Sequence, residues 1–159
     1  MAHSISAGLL LYSQSSGTLQ VLLAHPGGPY FARKDLGAWT LPKGLVEPGE
    51  NLLSTAQREF TEETGYDLNE VSTYLPLGSI TQKGGKEVHA WAFEGSWEAG
   101  RLPESNTFTM EWPPKSGTHH EFPEIDRAEL FSLEEAEQKI NERQRPFLAR
   151  LVEALHPDP

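Results

Sequence analysis

No cysteine occurs among the 159 residues. Disulfides, thiolate metal centres and thiol nucleophiles are therefore excluded together, and the composition suits a reducing compartment. Positive charge is also scarce, with 13 Lys and Arg against 23 Asp and Glu and a formal net charge of −10. Such a chain has no basic surplus with which to hold a nucleic-acid polymer or an anionic membrane. A small phosphorylated ligand stays open, because a bound divalent cation reverses the local field. Long apolar runs are missing as well. None approaches the roughly 20 residues that span a bilayer, and "MAHSISAGLLLYSQ" has no basic leader or signal-cleavage pattern. The expectation is one soluble cytoplasmic domain over residues 1–159, monomer or homodimer.

Glycine and proline, by contrast, are plentiful and punctuate the chain. "SISAGLLLY" and "LQVLLAH" read as two strands joined by the polar "SQSSGT", Leu-rich enough to be covered on both faces. "HPGGPYFARKDLGAW" reads as an irregular loop, and "AWTLPKG" as a short strand stopped by Pro42. A helix follows, with Asn51 as N-cap and Gly65 just beyond its end. "LGSITQ" and "EVHAWAFEG" flank "KGGK" as a hairpin, "NTFTMEW" is a further strand, and "PPKSGTHHEFPEIDRAE" is a long connection. The last segment is helical from Ser132, with a break or restart at Pro146. Strands and helices mix without regular alternation, which indicates α+β with helices on a mixed sheet.

Chemistry concentrates in "REFTEETG", where Glu59, Glu62 and Glu63 crowd one helix. Like charges three or four apart repel by a few tenths of a kcal/mol per pair. At about 100° per residue, Leu52, Leu53, Ala56 and Phe60 form an apolar arc, with Glu59 and Glu63 roughly 70° and 30° from its centre. A merely solvated acidic face would point away from the leucines, since desolvating an unpartnered carboxylate is costly. A shared cation answers both difficulties, and carboxylate oxygens are ligands that Mg²⁺, Mn²⁺ or Ca²⁺ prefer.

The stretch from Gly44 to Tyr66 resembles the signature of the Nudix (MutT-like) hydrolase family. Gly44, Glu50, Arg58, Glu59, Glu62, Glu63 and Gly65 stand at that motif's spacing, with Phe60 and Tyr66 at its bulky positions. "HPGGP", "DLGAWTLPKG", "EWPPKSG" and "EFPEIDRAE" are similar to a bacterial subgroup described as predicted nucleoside triphosphate pyrophosphohydrolases. The opening half is similar to Nudix proteins acting on dinucleoside polyphosphates. The resemblance implies an α/β/α sandwich with a mixed sheet and a divalent-metal-dependent hydrolase of nucleotides, with Mg²⁺ or Mn²⁺ as cofactor. It implies Glu59, Glu62, Glu63 and the Gly44 carbonyl as metal ligands, Arg58 orienting Glu59, and Glu50 supporting Arg58. A second acid from a later loop is expected at Glu124, with Glu121 behind it. The substrate would be a nucleoside triphosphate or dinucleoside polyphosphate. A nucleotide-sugar hydrolase and a non-catalytic nucleotide-binding module are the alternatives.

Outside the motif, Lys43, Arg33 and Trp39 are candidate substrate contacts. Lys43 and Arg33 would meet phosphate and Trp39 would stack a base, as Trp112 also could. Each has a plainer reading: surface charge for the cations, core packing for an aromatic in a strand. His119 and His120 have no third zinc ligand at a suitable spacing. His25 has no partner identifiable from sequence.

Overall fold

The computed structural model describes residues 4–15 and 17–157, so the expected first turn is described apart from Ser16. In chain order the strands are β1 (Ile5–Ser13), β2 (Gln20–Pro26), β3 (Lys43–Leu45), β4 (Leu75–Thr81), β5 (Glu87–Glu94), β6 (Thr107–Glu111), β7 (His119–Pro123) and β8 (Ile125–Ser132). The helices are α1 (Leu52–Thr64), α2 (Leu133–Lys139) and α3 (Pro146–Leu155). The main sheet runs β4-β5-β1-β2-β8, with β3 also on β1, and β6 and β7 form a separate ribbon.

β1 is the axis. It pairs in parallel with β5 from Ile5 opposite Glu87 to Tyr12 opposite Glu94, while the remaining pairings are antiparallel. Its Leu-rich run lacks polar alternation because both faces are covered. Ala7, Leu9 and Leu11 pack with Ala56 and Phe60 of α1. Leu10 and Tyr12 turn the other way, into a cluster with Ala136, Ile140, Phe147 and Leu151 from the C-terminal helical segment. The strand period of two thus divides one sequence between two cores, giving the expected α+β, helix–sheet–helix sandwich.

On its second edge β1 is shared. β2 meets it only at Tyr12–Val21 and Ser13–Gln20. Nearer its start, β3 takes that edge, pairing Ser6, Ala7 and Gly8 with Leu45, Gly44 and Lys43. Gly8 permits this insertion, since a Cβ there would collide with the Leu41 side chain and the Pro42 carbonyl and lie 2.7 Å from Lys43 Cβ.

Two sequence expectations need correction. The strand expected over "AWTLPKG" is only isolated bridges at Trp39 and Thr40, and β3 begins after Pro42, which has no N–H to donate. The connection expected over "PPKSGTHHEFPEIDRAE" contains β7 and the start of β8. β7 is exposed at four of its five positions, so it lacks the apolar alternation that marks a half-buried strand.

The caps stand where the sequence indicates. Asn51 Oδ1 accepts the Ser54 N–H at 3.1 Å, an arrangement worth about 1 kcal/mol. Gly65 ends α1 with φ 76°, and its N–H donates to the Thr61 carbonyl at 2.8 Å. Ser132 caps α2, and Pro146 restarts the helix as the first residue of α3.

Candidate active site

Phe60 fastens α1 to the sheet. Fully buried, it meets Phe93 edge-on at 5.2 Å and Tyr66 at 5.6 Å. That anchor sets the rotation of the helix. Glu59 is drawn in, its side chain 16% exposed, whereas Glu62 stays outside at 38%. Glu62 and Glu63 also lie in the last turn of α1, where the helix dipole opposes negative charge.

β3 faces these carboxylates. A Cβ at Gly44 would coincide with the Glu59 carboxyl group, so only glycine allows this approach. Burial, then the charge of Glu59, push the Glu63 carboxyl up to about 8, with Glu124 adding to the rise. Glu59 is also raised, by burial acting against the pull of Arg58. Burial lowers Lys43, and the charge of Glu63 partly offsets it.

Arg58 ties the group together from outside. Its Nε and Nη2 donate to the two Glu50 oxygens at 2.8 and 3.0 Å, a bidentate pair. Nη1 donates to Glu59 at 3.0 Å and to Glu62 at 3.2 Å. The guanidinium holds the Glu50 carboxyl down to about 2.

The β7–β8 junction closes the opposite side. Glu124 receives order through its backbone: its N–H donates to Asn106 at 2.8 Å, and its carbonyl accepts from Gly27 at 2.9 Å. Gly44, Glu59, Glu62, Glu63, Asn106 and Glu124 line a common open cleft of about 590 Å³. Glu121 is not part of it. Its carboxylate accepts the Thr107 hydroxyl at 2.9 Å on the β6–β7 ribbon.

This concentration of oxygen donors suits a hard cation. However, among the described residues no three His, Asp or Glu side chains are already gathered as a metal cage. Arg58 pairs with both Glu59 and Glu62.

A family model for the NUDIX domain matches residues 2–151. The chain belongs to the NUDIX family. It is 42% identical over 74 residues to an RNA pyrophosphohydrolase of Erythrobacter litoralis (strain HTCC2594), covering 42% of this chain and 43% of that protein. It is 38% identical over 89 residues to the asymmetrical bis(5'-nucleosyl)-tetraphosphatase of Mus musculus, covering 54% and 56% respectively. The matched stretches thus span about half the length of these relatives. The C. elegans Ap4A hydrolase in a binary complex superposes with a TM-score of 0.65 at 22% identity, over 94% of this chain and 97% of that one. A mutT/nudix family protein from Listeria innocua gives 0.64 at 19% identity, over 98% and 95%. These structures share the NUDIX fold.

Of the residues singled out beyond the NUDIX motif, Lys43 and Glu124 reach the cleft. Arg33 is on the exposed loop and outside the cleft lining. Trp39 is corrected: it is 1% exposed, packs edge-on against His25 and Phe131, and donates its indole N–H to Asp35 at 2.8 Å. No face is left to stack a base. Trp112 is half-buried against the exposed Tyr30. His119 and His120 are successive residues of β7, so their side chains diverge. His25 does have partners, Asp126 at 2.8 Å and the Lys34 carbonyl at 2.7 Å. Asn106 is one of the cleft residues that sequence reasoning missed, because it comes there through the hydrogen bond its carbonyl accepts from the Glu124 N–H, beside the end of the β6–β7 ribbon.

Proposed function

We propose that this chain is a divalent-metal-dependent pyrophosphohydrolase that cleaves a phosphoanhydride of a nucleoside triphosphate or dinucleoside polyphosphate. The observation that carries this reading is the meeting of Glu59, Glu63 and Glu124, from α1 and the β7–β8 junction, across one cleft with the glycine backbone of β3. The names of the relatives, a pyrophosphohydrolase and a tetraphosphatase, point to the same bond.

Glu59, Glu63 and the Gly44 carbonyl would hold Mg²⁺ or Mn²⁺, with Glu62 as a further ligand once it leaves Arg58. When bound, such a cation neutralises phosphate oxygens and acidifies water. Arg58 is a positioning residue, holding Glu59 while Glu50 holds Arg58. Glu124 stands on the other wall of the cleft to accept the proton of the attacking water, which adds to phosphorus as the bridging P–O bond breaks. Lys43 would meet a phosphate oxygen. The proposed compartment is the cytoplasm; among the described residues no helix is long and apolar enough to cross a membrane.

The test is product release from a panel of nucleoside triphosphates, dinucleoside polyphosphates and nucleotide sugars with Mg²⁺ or Mn²⁺, beside Glu63→Gln. Cleavage by the parent and loss in the variant are expected. Equal nucleotide binding by both proteins without cleavage by either would favour a binding module instead.

A further inference from the structure

The pairing of β2 with β8 slips by one residue just where β8 leaves the cleft. His25 stands opposite Arg127 and Pro26 opposite Ile125, so Asp126 is an extra residue on β8. Such a bulge bends its strand and re-aims the side chains beside it. Glu124 is two residues away. Pro26 has no N–H to keep the ladder in step, and beyond the slip the Gly27 N–H donates to the Glu124 carbonyl at 2.9 Å.

His25 holds the bulge. Its ring is fully buried, edge-on to Trp39 at 5.1 Å, and both of its nitrogens are used. The Lys34 carbonyl can only accept, so Nε2 donates to it at 2.7 Å. A proton between Nδ1 and Asp126 Oδ1 completes the second bond, at 2.8 Å. Arg127 Nε is 3.9 Å from the same oxygen, beyond hydrogen-bond reach. A buried ionic contact adds little stability, because desolvation offsets its attraction. Its effect is on direction. On the other side of the strand, the Ser105 hydroxyl accepts the Ile125 N–H at 3.2 Å. Glu124, Ile125 and Asp126 are thus each tied down, and of the three only Glu124 lines the cleft.

We propose that His25 and Asp126 are positioning residues for hydrolysis: by pinning the β8 bulge they aim the Glu124 carboxylate into the cleft. Their part in the reaction rests on the hydrolase reading, whereas the pinning of the backbone does not.

Asp126 is the residue to change, because its side chain is 31% exposed, whereas truncating His25 would open the core. Asp126→Ala should lower kcat about 10²-fold, the scale of a displacement near 1 Å, with KM nearly unchanged. Asp126→Asn should recover most of the rate, since an amide donates to Nδ1 while Nε2 keeps its bond to Lys34. In a Glu124→Gln background Asp126→Ala should cost nothing further, because the carboxylate being aimed is already gone. An equal loss in both backgrounds, or a parental kcat in Asp126→Ala, would overturn the proposal. Hydrogen exchange reads the pin without turnover. The Gly27 and Glu124 amides should exchange about tenfold faster in Asp126→Ala, with those of β1 and β5 unchanged. If the parent cleaves no nucleotide yet these two amides loosen, the hydrolase reading fails and the pin stands; unchanged exchange removes the pin.

Discussion

The carboxyl group of Glu59 occupies the space that a side chain at Gly44 would fill. The colliding atoms are the far end of a flexible glutamate, so an added methyl group would displace the carboxylate and leave the backbone in place. Gly44→Ala is therefore expected to keep the fold and lose the chemistry. Hydrolysis should fall by about 10²-fold, as displacements near 1 Å do in positioned sites. The thermal midpoint should move by about 4 °C or less. Parallel measurement of rate and melting separates these effects, and a fully active Gly44→Ala would remove Gly44 from the site.

Glu124 and Glu121 are near in sequence and apart in environment. Glu124 lines the cleft, whereas Glu121 accepts a hydrogen bond from Thr107 on the ribbon. Glu124→Gln should lower kcat by about 10²–10⁴, the usual contribution of a positioned base, while Glu121→Gln stays within about twofold on the same reasoning. Both variants should melt with the parent. Steady-state kinetics on the two purified proteins decide the matter, and a reversed ranking would transfer the role.

Much of this arrangement was legible because it is local. The Gly44–Tyr66 spacing marks the family, and the positions of Glu59 and Glu63 beside the apolar arc agree with their burial relative to Glu62. Asn51, Gly65, Ser132 and Pro146 act at the positions where their backbone preferences place them. The less legible features are long-range. Whether Trp39 faces a ligand or the core depends on His25 and Phe131, from β2 and β8. Asn106 gains its place through the hydrogen bond its carbonyl accepts from the Glu124 N–H, and β7 hides in the sequence because it is mostly exposed. Pairing partners distant in the chain, rather than propensity, decide these cases.

The splaying of β2 from β1 has its own critical residue. At Gly8 a methyl group would meet the Pro42 carbonyl, which is backbone and cannot swing aside. Gly8→Ala should destabilise the fold by about 1–3 kcal/mol through overpacking, with a lower urea midpoint and an unchanged m-value. Because β3 carries Gly44, the surviving folded fraction should also be less active. A parental urea midpoint would show that β3 can withdraw without cost.

Arg58 and Glu50 lead to an acid-range prediction. Glu50 has its carboxyl lowered from 4.5 to about 2 in the folded chain, chiefly by the guanidinium. A depressed folded pKa means that the unfolded chain binds the proton more readily, so the resulting stabilisation is complete above 4.5. It declines as pH falls from 4.5 and is gone below about 2. Glu50→Gln removes this dependence without adding charge. The difference in thermal midpoint between parent and Glu50→Gln should therefore be constant above pH 5 and shrink steadily on acidification to pH 2. Both proteins carry the same other carboxylates, so subtracting the two melting profiles isolates the Arg58 pair. A difference that grows towards low pH would have the wrong sign and would contradict the bidentate contact as the cause.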